Sequence, residues 1–273
     1  MVQLSGGRDW APGALIVDMD GVLYRGSKAL TGLAEFAYVT SSWPRVLLTN
    51  NSTVSAASCA GKLRGLGVSV PEQEILTVSA AMTGYLAGEF APGTSVYVIG
   101  EQPLHDAVQA AGLTEDEPGY AAVVVGLDRG LRYEQLGRAT SLLRAGCPLI
   151  VTSLDPVLLT ARGAVPGTGA IAAALRVSSD AEPVCVGKPE PRFFQAALQR
   201  LGIPADRVLV VGDSLAADVA GGRAAGARTA LMLSGVTTVL PGDTVPPGAG
   251  GPRPDYVFGS LPELTGFLRE CMG

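Results

Sequence analysis

Short apolar runs recur along this 273-residue chain and alternate with segments of helical length, a rhythm that leaves few folds open. The runs fall at 15–17, 46–48, 96–99, 121–125, 149–151, 184–186, 208–211, 229–233 and 256–258. Most are rich in β-branched residues and bounded by Gly, Pro or Asp. Helices are predicted between them at 54–64, 80–89, 104–111, 133–144, 170–175, 191–201, 215–225 and 261–270, where alanine is abundant. Strands alternating with helices predict parallel βαβ units. The unbroken apolar character of the runs agrees, because a parallel sheet is covered on both faces. The expectation is an α/β fold.

Bulk properties narrow the function. Apolar residues make up 47% and charged residues 16%, enough for a sizeable core and against disorder. Net charge is -5 and the 20 basic residues are scattered. A nucleic-acid partner needs a basic stripe, so none is expected. No run reaches the 18 or so apolar residues of a spanning helix, so no membrane partner is expected. The first residues lack a basic segment followed by an apolar one, so no secretory leader is expected. Cys59, Cys147, Cys185 and Cys271 lie far apart, three of them in or beside apolar segments. Buried free thiols in a reducing, cytoplasmic setting fit that pattern.

Several acidic and basic residues sit where predicted strands open into loops, the place where open parallel sheets build sites. Asp18-Met19-Asp20-Gly21 follows 15–17, Thr49-Asn50-Asn51-Ser52-Thr53 follows 46–48, Lys188 follows 184–186, and Asp213 and Asp218 follow 208–211. Each has a plain structural reading as well. An isolated Asp-x-Asp-Gly makes a solvated turn, Thr-Asn-Asn-Ser-Thr makes a helix cap, and Asp218 compensates a helix dipole. Taken together they meet the needs of phosphoryl transfer, a nucleophile in line with the leaving oxygen and positive charge around the phosphate. Asp18 suits the nucleophile, an aspartate able to form an acyl phosphate. Asp20 suits the general acid and base once a turn at Gly21 redirects its side chain. Thr49 and Asn50 offer neutral donors, and Lys188 offers a point charge with Asp218 to hold it. Asp18, Asp213 and the backbone carbonyl of Asp20 form an oxygen set for Mg²⁺. Ser214 is the expected cap of the helix carrying Asp218. The only histidine, His105, is not needed, and there is no histidine pair for zinc. Gly167-Thr168-Gly169 lacks the last glycine of a dinucleotide fingerprint.

More than 100 residues with strands and helices of their own separate Ser79 from Lys188. An inserted domain is therefore expected at 79–182, with 1–78 and 183–273 forming a discontinuous core. Residues 243–254 are expected to form a Gly/Pro-rich surface loop.

These motifs resemble the haloacid-dehalogenase-like hydrolase superfamily. The stretches Asp18-Met19-Asp20-Gly21-Val22-Leu23-Tyr24-Arg25-Gly26, Leu48-Thr49-Asn50-Asn51-Ser52, Gly187-Lys188-Pro189 and Gly212-Asp213-Ser214-Leu215-Ala216-Ala217-Asp218 carry the likeness. Thr152-Ser153-Leu154-Asp155 and Pro166-Gly167-Thr168-Gly169 extend it through the insertion. The branch is the one that groups 4-nitrophenylphosphatase, phosphoglycolate phosphatase and NagD-type phosphatases (subfamily IIA). The resemblance implies a Rossmann-like, doubly wound parallel sheet core with an inserted α/β cap domain, of the type placed between the second and third motifs. It implies Asp18 as the phosphorylated nucleophile, Asp20 as acid/base, and Thr49, Asn50, Asn51 and Lys188 as phosphate contacts. It further implies Asp213 as a magnesium ligand, Asp218 and Ser214 as its support, and Arg25 and Asp155 as cleft residues toward substrate. Serine at 214 replaces an arginine common in relatives, and Ser153 replaces an asparagine. Both changes bear on substrate rather than on reaction class.

The expected activity is magnesium-dependent hydrolysis of a small phosphorylated metabolite. Glycerol phosphate, phosphoglycolate, sugar phosphates and nucleoside monophosphates all remain open as substrates. A phosphotransferase or mutase, or a silent phosphometabolite-binding protein, is the alternative. The resemblance also permits a homodimer through the cap.

Overall fold

The computed structural model describes residues 2–3, 10–160, 163–238 and 252–271. The chain divides into two compact units, one of residues 1–49, 59–76 and 188–273 and one of residues 50–58 and 77–187.

The first unit is built on a seven-stranded sheet in the order Val2–Gln3, Tyr256–Phe258, Arg228–Met232, Val208–Gly212, Ala14–Asp18, Arg45–Thr49, Ile75–Thr77. Ala14–Asp18 lies inside it, parallel to both Val208–Gly212 and Arg45–Thr49. The edge strand Val2–Gln3 runs antiparallel to Tyr256–Phe258. Ala14, Leu15, Val17, Val208, Leu209 and Val211 have no solvent exposure, which is why these runs carry no polar alternation. Helix Pro191–Leu201 begins on a proline at its first position and ends on Gly202 at φ 64°, the expected start and stop signals. Helices Leu33–Val39 and Leu261–Glu270 pack against each other.

The second unit has a four-stranded parallel sheet in the order Pro183–Cys185, Leu149–Val151, Val123–Val125, Tyr97–Ile99. Met82, Leu104, Val108, Val124 and Ile150 form one buried cluster. Val123, Val125, Leu143, Val151 and Leu175 form another, so the strand alternation feeds two separate cores. A hairpin, Val157–Thr160 with Gly163–Pro166, completes the unit.

The boundaries differ from the sequence expectation. Pro183–Cys185 pairs with Leu149–Val151, so it belongs with the inserted strands rather than with 183–273. Residues 50–58 likewise group with the second unit. The predicted helix at 215–225 is two pieces, a π-helical turn Leu215–Val219 and an α-helix Ala220–Ala224. Helix Leu33–Val39 and the small hairpin Tyr24–Arg25 with Lys28–Ala29 had no counterpart in the apolar pattern. Both are too short to develop a period. Of the loop expected at 243–254, residues 243–251 lie outside the described residues. Among the described residues all four cysteines are free thiols, and no helix is long and apolar enough to cross a membrane.

Candidate active site

Asp18 closes its strand, and Val17 lies opposite Val211, so Asp18 emerges beside Gly212 and Asp213. Carboxylate oxygens of Asp18, Asp213 and Asp218 all lie within 4.8 Å of one another, and all three residues are buried. Lys188, also buried, donates from Nζ to Asp18 Oδ1 and to Asp218 Oδ1, the latter at 2.7 Å. The first unit therefore gathers four residues drawn from three distant stretches of sequence.

The electrostatics are those of crowded acids. Burial raises the Asp18 carboxyl well above its usual range; Lys188 opposes that, and Asp218 and Asp213 add to it. Burial, then Asp218, pushes Asp213 up to about 6. Burial disfavours the charged form of Lys188, but Asp18 and Asp218 outweigh it and hold the ammonium's pKa above its ordinary value. Three carboxylates around one ammonium leave negative charge that these side chains do not balance among themselves. The donors are hard oxygens at close spacing, so the set fits a divalent cation such as Mg²⁺.

Local structure explains how Asp218 comes to face Lys188. Ser214 Oγ accepts from the Ala217 N–H at 3.1 Å, capping the turn, and the Ser214 N–H donates to Asp218 Oδ2 at 3.1 Å. Both the Asp218 and Val219 N–H groups donate to the Ser214 carbonyl, at 2.9 and 3.1 Å, and the widened turn carries the Asp218 side chain back over the strand end. A Cβ at Gly212 would overlap the Asp218 carboxyl group, so this approach requires glycine there.

Asp20 sits one turn beyond Asp18 and is exposed. Gly21 takes φ 84° and its N–H donates to the Tyr24 carbonyl at 2.8 Å, the redirecting turn expected from sequence. Although its side chain reaches solvent, desolvation by the groups packed around it raises the Asp20 carboxyl, against Lys62, the Gly26 N–H, Arg25 and the Gly21 N–H. Lys62 was not singled out from sequence; its Nζ lies 3.5 Å over the Tyr24 ring centroid. Arg25 donates from Nη2 to the Ser234 carbonyl at 2.5 Å and reaches the Gly235 carbonyl at 3.5 Å.

Thr49 ends its strand in the first unit and is buried. Three other expected residues lie in the second unit. Asn50 Nδ2 donates to Asp155 Oδ2 at 3.2 Å, and Ser153 Oγ donates to the same oxygen at 2.7 Å. Asn51 Oδ1 accepts from the Thr53 N–H and hydroxyl at 3.0 and 2.8 Å, closing a turn. Ser52 is buried, and its hydroxyl accepts from the Leu127 N–H at 2.9 Å. His105 holds the Glu115 carboxylate at 2.8 Å and the Gly100 carbonyl at 3.1 Å, a link within the second unit.

Residues 12–226 match the family of haloacid dehalogenase-like hydrolases. An acid sugar phosphatase of Staphylococcus saprophyticus is 36% identical over 262 residues, covering 94% of this chain and 98% of its own. The 5'-nucleotidase YutF of Bacillus subtilis is 34% identical over 224 residues, covering 81% and 87%. Among solved structures, the glycerol phosphate phosphatase of Mycobacterium tuberculosis in complex with magnesium superposes with a TM-score of 0.84. It is 32% identical, and the match covers 93% of this chain and 76% of that one.

Proposed function

The chain belongs to the haloacid dehalogenase-like hydrolase family, and from that premise we propose that it hydrolyses small phosphomonoesters through an aspartyl-phosphate intermediate, with magnesium as cofactor. The observation that carries this reading is the buried Asp18, Asp213 and Asp218 cluster with Lys188 seated between two of its members.

In the first step a carboxylate oxygen of Asp18 attacks phosphorus and the bond from phosphorus to the ester oxygen breaks. Asp20 gives its proton to the departing alkoxide. In the second step Asp20 takes a proton from water as that water attacks the acyl phosphate. Asp18 then leaves as a carboxylate and inorganic phosphate is released. Lys188 meets the negative charge on the phosphoryl oxygens, and Asp218 keeps its ammonium aimed. Thr49 and Asn50 add neutral donors. Asp18, Asp213 and the Asp20 carbonyl would hold magnesium, which would supply the positive charge that offsets repulsion between an anionic nucleophile and a phosphate dianion.

The second unit serves in this reading as the cap, with Asp155 among the residues that meet the organic group. Sugar phosphates, glycerol phosphate and nucleoside monophosphates are the substrate classes to which the relatives' names point. The free thiols support a cytoplasmic setting. Exposed Val157 and Val165, on the hairpin of the second unit, support a homodimer formed through that unit.

The test is phosphate release across a phosphomonoester panel by the native protein, D18N and D213N, with and without magnesium. Loss of turnover in D18N and magnesium dependence in the native protein are expected. Undiminished activity in D18N overturns the covalent mechanism. An isomerised phosphoester without phosphate release identifies a mutase, and tight ligand binding without turnover identifies a silent binder.

A further inference from the structure

The carboxylate of Asp213 is held by a second layer that sequence reading did not reach. The Val236 N–H donates to Asp213 Oδ2 at 2.6 Å, and the Thr237 N–H donates to the Asp213 carbonyl at 3.1 Å. A Cβ on Gly21 or on Gly235 would overlap the Asp213 carboxyl group. Asp213 is thus clamped between two backbone segments, one following the Asp18 strand and one near residue 235. Those segments are themselves fastened at two points. Ser234 Oγ donates to the Gly21 carbonyl at 2.8 Å. The Arg25 guanidinium spans the other side, reaching the Ser234 and Gly235 carbonyls.

We propose that Arg25 and Ser234 are positioning residues that lock the two glycine segments around Asp213 and so orient its carboxylate toward a divalent cation. This assignment rests on Asp213 being a magnesium ligand, and it reassigns Arg25 from the substrate to the metal. The physical reason is the donor inventory. A guanidinium presents its donors in a rigid planar fork that fixes the direction from which it reaches the two carbonyls, whereas a lysine ammonium is a compact charge on a flexible stem. With either fastening removed, the clamp opens on one side and the carboxylate gains orientations that do not face Asp18.

The experiment measures magnesium binding alone, without substrate, by calorimetry and by the magnesium-induced rise in unfolding midpoint. The proteins are the native chain, R25Q, R25K, S234A and D213N, each checked for folding by circular dichroism. R25Q and S234A are expected to bind magnesium about 3- to 10-fold more weakly, with R25K between them and the native chain. In turnover assays, raising magnesium is expected to restore kcat in R25Q and S234A with KM for the phosphomonoester near native. Native magnesium affinity in both R25Q and S234A overturns the proposal. So does a raised KM in R25Q that saturating magnesium leaves uncorrected, since that is the signature of a substrate contact. D213N separates the two layers. If D213N keeps native magnesium affinity, the metal reading itself fails. If D213N loses affinity while R25Q and S234A do not, only the clamp fails.

Discussion

At the scale of single residues, the site is a problem of uncompensated charge. Burial and Asp218 push the Asp213 carboxyl up to about 6, whereas an unfolded aspartate titrates near about 3.9. An acid with a raised folded pKa burdens the folded state above that pKa, and the burden lifts as pH falls through it. In chelator, the unfolding midpoint is therefore expected to rise as pH drops from 7.5 toward 5. D213N should weaken that dependence, leaving the part owed to the buried Asp18 carboxyl, and stabilise the metal-free protein at pH 7.5 by on the order of 2 kcal/mol. Thermal melts in chelator across that range check both, and an unchanged pH profile in D213N refutes the assignment. Lys188→Met leaves Asp18 and Asp218 facing each other without their shared cation, so a drop in kcat of about 10³-fold or more is expected in single-turnover assays. The proximity of Asp18, Lys188, Asp213 and Asp218 was legible in sequence because each follows an apolar run. Lys62 over Tyr24 and the Arg25 link to Ser234 were not. The Arg25 link joins residues 209 positions apart in loops without periodicity, and only folding brings them together.

At the scale of elements, the inner strands were the readable part, since burial on both faces favours unbroken apolar runs; the edge strand Ile75–Thr77 and the hairpin Val157–Thr160 with Gly163–Pro166 were not expected. The inserted helices were readable too, with 168–179 extending the shorter stretch expected at 170–175. The break within 215–225 was not, because alanine and valine give no hint of a widened turn. Its cause is the Asp218 carboxylate, which returns to the Ser214 N–H. That geometry makes a sharp prediction at Gly212, where an added methyl group meets the Asp218 side chain. Gly212→Ala should cost about 1–3 kcal/mol through overpacking and should depress kcat by displacing the partner of Lys188. Gly84→Ala is the control, an exposed position within helix Val78–Glu89 where a Cβ meets nothing within 4 Å. It should stabilise by about 0.5–1 kcal/mol. Chemical denaturation of both variants distinguishes a steric effect from a general intolerance of methyl groups.

For the whole molecule, two units with separate cores imply that ligand linkage is local. A cation that binds only the folded first unit stabilises it by mass action. Hydrogen exchange should therefore slow with magnesium across 14–21, 208–219 and 234–237. Strands Tyr97–Ile99, Val123–Val125 and Leu149–Val151 of the second unit should be unaffected. Equal slowing in both units contradicts that picture. Neighbouring strands of the first sheet, Ala14–Asp18 and Val208–Gly212, come from opposite ends of the chain with the whole second unit between them. During translation at roughly 5–20 residues per second, Asp18 therefore waits on the order of 10–40 s before Asp213 is made. A ribosome-bound chain ending anywhere in that interval holds Asp18 without Asp213, so the proposed cation site has half its acids and cannot assemble until residue 213 has been made.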